Sequence, residues 1–249
     1  MVSFSDTLLL SAIMGLSIYL SMPIIMRKNL AHTKTKFLNA VAIGILIFLI
    51  ADVFLDAAQV LYNGTLYGYG SSPDYDLIFG VSTAVGFFIL FAVGHRRKGQ
   101  LSQIQLALVI ALGIAFQNLT EGLLFGSVDS NIGLTGIALV VLIGFIFQNF
   151  TEGFPIASPF LGSTEGRMGV MTGALFLGGF PTIIGGALGY YYNSTIFDLV
   201  FFGLAIGTML YVILPMLRNL LIDPDKTMLG IAYAGVFIGF ILGFAVNLL

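Results

Sequence analysis

Apolar runs of about 20 residues follow one another along almost the whole chain, and short segments with most of the charge separate them. A helix needs about 20 apolar residues to cross a bilayer, so each run is long enough to span one. Hydrophobic residues make up 58% of the 249 positions and charged residues 9%, with a mean hydropathy of +1.02. No stretch is left over for a soluble domain. We therefore predict an all-α, polytopic membrane protein.

Eight transmembrane helices are predicted, and together they form a single transmembrane domain over residues 1–249. Their approximate ranges are 7–26, 37–62, 77–94, 104–126, 136–161, 168–192, 196–221 and 227–249. The first span follows Asp6 instead of a basic stretch, and no small-residue cleavage site comes after it. We therefore expect the first span to be retained, in a multi-pass protein of the plasma membrane.

All ten Lys and Arg residues fall in the odd-numbered loops between the predicted spans. They are Arg27, Lys28, Lys34, Lys36, Arg96, Arg97, Lys98, Arg167, Arg218 and Lys226. Basic residues mark the cytoplasmic loops of membrane proteins, so this distribution predicts that both termini face outward. The loops with Asp74, Asp76, Asp129 and Asp198 face outward with them.

Two nearly identical heptapeptides lie in the fourth and fifth predicted spans. Residues 116–122 and 147–153 differ only in that Leu119 of the first copy is Phe150 in the second. The Gln and the Glu of each copy are four residues apart and share one helix face, with the Asn about 100° further round. Because an ionised carboxylate in hydrocarbon is costly, the two patches predict a shared cation that Glu121 and Glu152 both face.

Two prolines follow the second copy. Pro155 and Pro159 each remove a backbone donor, which should free the carbonyls of Thr151 and Pro155. Such an opened helix is tolerated in a membrane where it lines protein or a watery cavity.

The two spans resemble helices four and five of the ZIP metal transporters. The fourth helix of that family carries His-Asn-x-x-Glu-Gly, and residues 147–159, Phe-Gln-Asn-Phe-Thr-Glu-Gly-Phe-Pro-Ile-Ala-Ser-Pro, look like the fifth-helix signature of its prokaryotic branch. Residues 38–44 and 51–53 resemble its second helix more loosely. The resemblance implies a ZIP-like bundle with a metal site made by Gln117, Asn118, Glu121, Gln148, Asn149 and Glu152. It also implies a secondary transporter that moves a divalent cation of the zinc, iron or manganese class by alternating access.

The chain departs from the family pattern in two ways. Gln117 and Gln148 replace the motif histidines, and no acidic residue precedes Pro181 in the sixth span. The resulting all-oxygen site favours harder ions such as manganese, ferrous iron or magnesium over zinc. The missing carboxylate makes a second metal less expected.

A second polar stripe lies on the second span, where Asp52, Asp56 and Gln59 are four and three residues apart and share a face. One interpretation is an auxiliary proton or metal relay beside the main site. The other is that Asp56 and Gln59 lie near the outer interface and are simply hydrated.

The residues also bear on function classes other than transport. The chain has no cysteine, and the spans hold neither histidine nor a nucleophile beside a base, so we expect no enzyme and no permanently bound cofactor. The alternatives are a proton-coupled carrier of an organic solute and a degenerate relative that does not transport. The expected partners are the lipid bilayer and the divalent metal ion, with no nucleic acid. The ladder Gly235, Gly239 and Gly243 predicts close helix packing, for which a homodimer is one form.

Overall fold

The computed structural model describes residues 3–25, 32–62, 73–95, 102–132, 136–161, 168–192, 194–222 and 225–247. The described chain is almost entirely helical and contains no β-strand, which confirms the all-α prediction. Its helices are α1 (Phe4–Leu16), α2 (Met22–Ile25), α3 (His32–Tyr62), α4 (Pro73–His95), α5 (Gln103–Ile132), α6 (Gly136–Ala157), α7 (Met168–Tyr191), α8 (Thr195–Leu221) and α9 (Lys226–Asn247). Two 3₁₀ segments occur, Ser17–Ser21 between α1 and α2 and Ser158–Phe160 after α6.

Seven stretches of described helix are long and apolar enough to cross a membrane. They are Phe4–Ser21, His32–Tyr62, Asp74–Ala92, Gln103–Gly126, Met168–Tyr191, Thr195–Leu221 and Lys226–Ala245. They make the chain a multi-pass integral membrane protein. The fifth predicted span corresponds to α6, which is 22 residues long. Because its side chains are described only from Leu142 onward, α6 is not counted among the seven.

The helix boundaries differ from the predicted spans by several residues. The first helix begins at Phe4 because Ser3 and Asp6 form a capping box, each side chain accepting the other residue's backbone N–H at 3.2 Å. Hydropathy does not indicate this cap, so the predicted first span begins at residue 7, three residues later. The fourth span continues to Ile132 instead of 126, and α6 ends at Ala157, two residues before Pro159.

Charge separates the two ends of the helix assembly. Lys36 near the start of α3 and Asn219 near the end of α8 line one cavity, whereas Asp56 of α3 and Asp198 of α8 line another. This is consistent with the predicted orientation, which stays a prediction. Several residues used for that prediction lie outside the described part of the chain, namely Arg27, Lys28, Arg96, Arg97, Lys98, Arg167 and the side chain of Asp129.

The long helices pack as two bundles. In the motif bundle α7 lies along α5 and α1, while α6 packs on α5 and on the Ser17–Ser21 segment. In the flanking bundle α3 lies along α9, α4 lies along α8, and α8 also packs on α3. The main contact between the bundles is that of α5 with α8.

Glycines produce the closest approaches within each bundle. A methyl group at Gly122 of α5 would overlap the carbonyl oxygen of Thr182 on α7, and one at Gly239 of α9 would overlap that of Val41 on α3. Among the described glycines only Gly113 faces the other bundle, where a methyl group would lie 3.0 Å from Thr208 Oγ1. The backbones are therefore in direct contact inside the bundles, and side chains separate them between the bundles.

The glycine ladder of the last span packs inside the chain. Gly235, Gly239 and Gly243 face Ala40, Val41 and Phe48 of α3, respectively. Close helix packing at this ladder is confirmed, but the ladder is not free to join two copies of the chain.

We expect Gly239→Ala to lower the thermal stability of the purified protein, because the new methyl group meets the Val41 backbone. Overpacking of this kind costs about 1–3 kcal/mol. Gly230→Ala is the matched control on the same helix, since a Cβ there has nothing within 4 Å. The measurement is the fraction that elutes as a single species after heating in detergent. Equal loss in both variants would contradict the packing described for α3 and α9.

Candidate functional site

The two heptapeptides meet where α5 packs against α6. Side-chain hydrogen bonds join the helices from Gln148 to Glu121, from Asn118 to Asn149 and from Asn118 to Glu152. Gln117, Asn118, Glu121, Asn149 and Glu152 are buried, and Gln148 is half-buried. The structure thus brings all six predicted site residues together in the protein interior.

Glu121 is held by two amides. Gln117 Nε2 donates to Glu121 Oε1 at 3.0 Å from one turn earlier on α5, which confirms the predicted shared face. Gln148 Nε2 donates to the same oxygen at 2.6 Å from α6. The other carboxylate oxygen, Oε2, is buried and has no hydrogen-bond partner in the described structure. One side of this carboxylate is therefore fixed, and the other is open to a ligand.

Glu152 is held in the same one-sided manner. Asn118 Nδ2 donates to Glu152 Oε2 at 2.9 Å, while Glu152 Oε1 is buried without a partner in the described structure. The same Asn118 nitrogen is 3.0 Å from Asn149 Oδ1 and 3.0 Å from the Gly178 carbonyl oxygen of α7. Its two hydrogens are shared among three acceptors, so Asn118 links α5, α6 and α7.

Four buried oxygens of the motifs have no hydrogen-bond donor among the described residues. They are Gln117 Oε1, Asn118 Oδ1, Glu121 Oε2 and Glu152 Oε1. Buried polar atoms without a partner are rare in proteins and cost about 1–3 kcal/mol each, so their occurrence at one site needs an explanation. Carboxylate and amide oxygens are ligands that hard divalent cations prefer.

Gln148 and Asn149 differ from the other four predicted ligands. The Gln148 amide donates to Glu121, and Asn149 accepts from Asn118 while donating to the Phe145 carbonyl at 3.0 Å. In this arrangement the two residues orient the carboxylates and Asn118. The described residues contain no group of three or more His, Asp or Glu side chains that could hold a metal, so a cation here would need amide oxygens as well.

Negative charge is concentrated around the site. The Glu121 carboxylate is under electrostatic repulsion from Glu152, and also from Asp52 and Asp56 of α3. Each hydrogen bond donated to the two glutamates in the described part of the chain comes from a neutral amide. The arrangement therefore attracts positive charge.

The polar stripe of α3 extends from the interior to the surface. Asp52 is buried, Asp56 is half-buried and Gln59 is exposed. Asp52 acts electrostatically on both glutamates, which fits an auxiliary residue beside the site. The exposure of Gln59 fits the hydrated interpretation for that end of the stripe.

Two cavities lie at opposite ends of the contact between α3, α5 and α8. The first has a volume of about 280 Å³, and its lining includes Asp56, Gln59, Thr120 and Asp198. The second, of about 620 Å³, includes Lys36, Asn39, Ser158 and Asn219. Thr120, Ser158 and Asn219 are not among the residues predicted from the sequence, and Lys36 and Asp198 are predicted only as loop charges. In the sequence, these residues are marked only by a polar side chain near the end of an apolar run.

In the proline segment after the second motif, the prediction for Pro159 agrees with the structure. Pro159 frees the Pro155 carbonyl, and the Ser158 hydroxyl donates to this oxygen at 3.0 Å. Ser158 and Pro159 also line the larger cavity. The opened turn at the end of α6 therefore borders a cavity, as expected for irregular backbone inside a membrane.

Comparison of the sequence with models of protein families gives no match, and comparison with curated proteins gives none either.

We expect Asn118→Leu to destabilise the fold by about 1–3 kcal/mol, because the variant removes the hydrogen bonds that Asn118 donates to Glu152 Oε2, Asn149 Oδ1 and the Gly178 carbonyl. Asn219→Leu, at an exposed position of α8, is the matched control. Thermal unfolding in detergent, followed by circular dichroism, compares the two variants. Equal midpoints for Asn118→Leu and wild type would show that Asn118 does not hold the helices together.

Proposed function

We propose that the chain is a secondary transporter that carries a divalent metal cation across the membrane, with the ion bound between α5 and α6. The observation that carries this proposal is the one-sided bonding of both glutamates. Each has one oxygen held by amides and one buried oxygen without a donor in the described structure. Two carboxylate charges would balance one divalent ion, and Gln117 and Asn118 would add neutral oxygen ligands.

The two cavities support alternating access. Thr120 lines the smaller cavity and directly precedes Glu121, while Ser158 of the larger cavity follows Glu152 by six residues. An ion that enters from one cavity would shed part of its hydration onto the carboxylates and amides. It would leave through the other cavity when the surroundings of the site change.

The packing suggests which parts would move. Both motifs belong to the motif bundle, whose helices touch backbone to backbone at glycines, as Gly122 does with Thr182. The flanking bundle meets it through side chains, as at Gly113 and Thr208. We infer that the motif bundle shifts as a unit against the flanking bundle, since side-chain contacts rearrange more easily than backbone contacts.

The resemblance to ZIP transporters agrees with this function and supplies the metal class of zinc, iron or manganese. Oxygen ligands alone move the preference toward manganese or ferrous iron, because zinc favours nitrogen and sulfur ligands. We place the protein in the plasma membrane with both termini outside, in keeping with the distribution of Lys and Arg. Asp52 would act as an auxiliary proton or metal relay, given its burial and its electrostatic effect on both glutamates.

We expect Glu121→Gln and Glu152→Gln each to reduce metal uptake at least about tenfold, because one remaining carboxylate cannot balance a divalent ion in a low-dielectric interior. Uptake of manganese, ferrous iron and zinc into proteoliposomes is the measurement. Glu165→Gln is the matched control, since Glu165 is the third Glu of the chain and belongs to neither motif.

Protein content and orientation in the vesicles are matched between variants. Wild-type uptake by both motif variants would refute the proposed site. Saturable uptake of an organic solute by wild type, with no metal uptake, would instead favour the carrier of an organic solute.

We expect histidine at the motif positions to shift the metal preference toward zinc, because imidazole is a better zinc ligand than an amide oxygen. Gln117→His should have the larger effect, since Gln117 Oε1 has no described partner while the Gln148 amide is bonded to Glu121. Competition calorimetry with zinc and manganese, at a pH where the imidazole is neutral, compares both single variants and the double variant. A folded double variant with unchanged zinc preference would remove both glutamines from the metal's ligands.

A further inference from the structure

Thr182 of α7 has a buried hydroxyl without a hydrogen-bond partner in the described structure. Its side chain is 0% exposed, and Oγ1 has neither a donor nor an acceptor among the described residues. A buried polar atom without a partner is costly, so this hydroxyl needs an explanation in the same way as the motif oxygens do.

Threonines in the other long helices bond to their own backbone. Thr83, Thr120 and Thr208 each donate Oγ1 to the carbonyl four residues earlier, at 2.9, 3.0 and 2.8 Å, respectively. This bond is a usual way for a helical threonine to satisfy its hydroxyl. Thr182 does not form it, so its hydroxyl is available to a ligand.

The carbonyl that Thr182 would use is already occupied. It belongs to Gly178, four residues earlier, and it accepts from Asn118 Nδ2 at 3.0 Å. In an α-helix the same oxygen also accepts from the backbone N–H of Thr182. With these two donors, both lone pairs of the Gly178 carbonyl are in use. The contact that ties α7 to Asn118 therefore leaves the Thr182 hydroxyl without its ordinary acceptor.

The same contacts place Thr182 beside the proposed metal site. The Asn118 amide and the Thr182 backbone N–H converge on one carbonyl oxygen, so the two residues are neighbours. Asn118 Nδ2 is also 2.9 Å from Glu152 Oε2. The Thr182 carbonyl packs on Gly122, which directly follows Glu121. Thr182 thus lies between the contacts that α7 makes with the first motif.

The Thr182 hydroxyl is a fifth oxygen of the same kind as the four motif oxygens. Six buried side-chain oxygens lack a partner among the described residues, and the sixth is Ser11 Oγ on α1. Zinc sites are mostly four-coordinate, whereas manganese and magnesium favour six oxygens in an octahedral arrangement. Threonine hydroxyls bind Mg²⁺ in phosphate-binding loops, so this group is a suitable ligand. Five protein oxygens and one water would complete an octahedral shell.

We propose that Thr182 Oγ1 is a further ligand of the transported ion and favours six-coordinate manganese over four-coordinate zinc. This inference rests on the proposed function, because it concerns the same site. It adds α7 to α5 and α6 as a helix that supplies a ligand. All three helices belong to the motif bundle, so the ligand shell would stay intact while that bundle moves.

Thr182→Val tests the hydroxyl, because valine has nearly the same shape and lacks only the oxygen. Manganese and zinc binding to the purified full-length protein in detergent is measured by competition calorimetry, after bound metal and then the chelator have been removed. We expect the variant to weaken manganese binding about tenfold, which is within the range for the loss of one polar contact to a charged group. Zinc binding should change less than about threefold, since four ligands remain.

The stability of the metal-free protein distinguishes a ligand from a structural hydroxyl. Thr182→Val loses no hydrogen bond, so its unfolding midpoint without metal should equal or exceed that of wild type. Ser11→Ala is the matched control, because Ser11 Oγ is also buried without a described partner but lies beside Gly186, one turn beyond Thr182. It should bind both metals as wild type does. Thr182→Ser keeps the hydroxyl and should bind manganese within a few-fold of wild type.

Wild-type manganese binding by folded Thr182→Val would overturn the inference and leave the proposed function intact. Equal losses of manganese and zinc affinity, or the same loss in Ser11→Ala, would also overturn it, since neither result fits a ligand that selects manganese. Thr182→Ala is a second variant without the hydroxyl, and it replaces Thr182→Val in each comparison if the valine variant does not fold. No binding of either metal by wild type would instead refute the proposed function, and the inference with it.

Discussion

The hydrogen bonds between amides and carboxylates at the contact of α5 and α6 are the interaction on which the rest of the site depends. In a membrane interior a glutamate needs compensation for lost hydration, and here neutral amides supply it to one oxygen of each carboxylate. They leave the second oxygens, Glu121 Oε2 and Glu152 Oε1, without donors in the described structure. Full satisfaction by the protein would leave no oxygen available for the proposed cation. The partial satisfaction holds the side chains in place and leaves one oxygen of each carboxylate without a donor in the described structure.

Close packing of the helices maintains this geometry inside the membrane, where the lipid is as apolar as the side chains. Helices in such surroundings are held together by direct van der Waals contact and by hydrogen bonds. Gly122, directly after Glu121, lets α5 touch α7 at Thr182, and Gly153, directly after Glu152, lets α6 touch the Ser17–Ser21 segment. The glycine that ends each motif therefore fixes the position of the adjacent glutamate relative to the segment that the glycine contacts. The motif is thus a unit of chemistry and packing together.

Much of this could be predicted from the sequence because membranes restrict the choices so strongly. The length of the apolar runs indicated the helices, and the four-residue spacing of Gln117 and Glu121 indicated that they share one helix face, where the structure adds a hydrogen bond between them. Other features depend on contacts between distant residues, which spacing does not contain. The pairing of Gln148 with Glu121, the link from Asn118 to the Gly178 carbonyl, and the packing of the Gly239 ladder on α3 are of this kind. The start of α1 depends on neighbouring residues and could be predicted, since Ser3 and Asp6 have the spacing of a capping box. Hydropathy alone does not indicate it.

The charges along the proposed path follow a physical order. Asp56 and Asp198 line the cavity at one end, the two glutamates lie in the interior, and Lys36 lines the cavity at the other end. In the proposed transport, the two aspartates would attract a cation into the first cavity, and the glutamates would then hold the ion until their surroundings change. A continuous open channel would gain nothing from such a trap, because tight binding slows exit. The proposed carrier would need it, since the bound ion would have to remain with the motif bundle while that bundle moves.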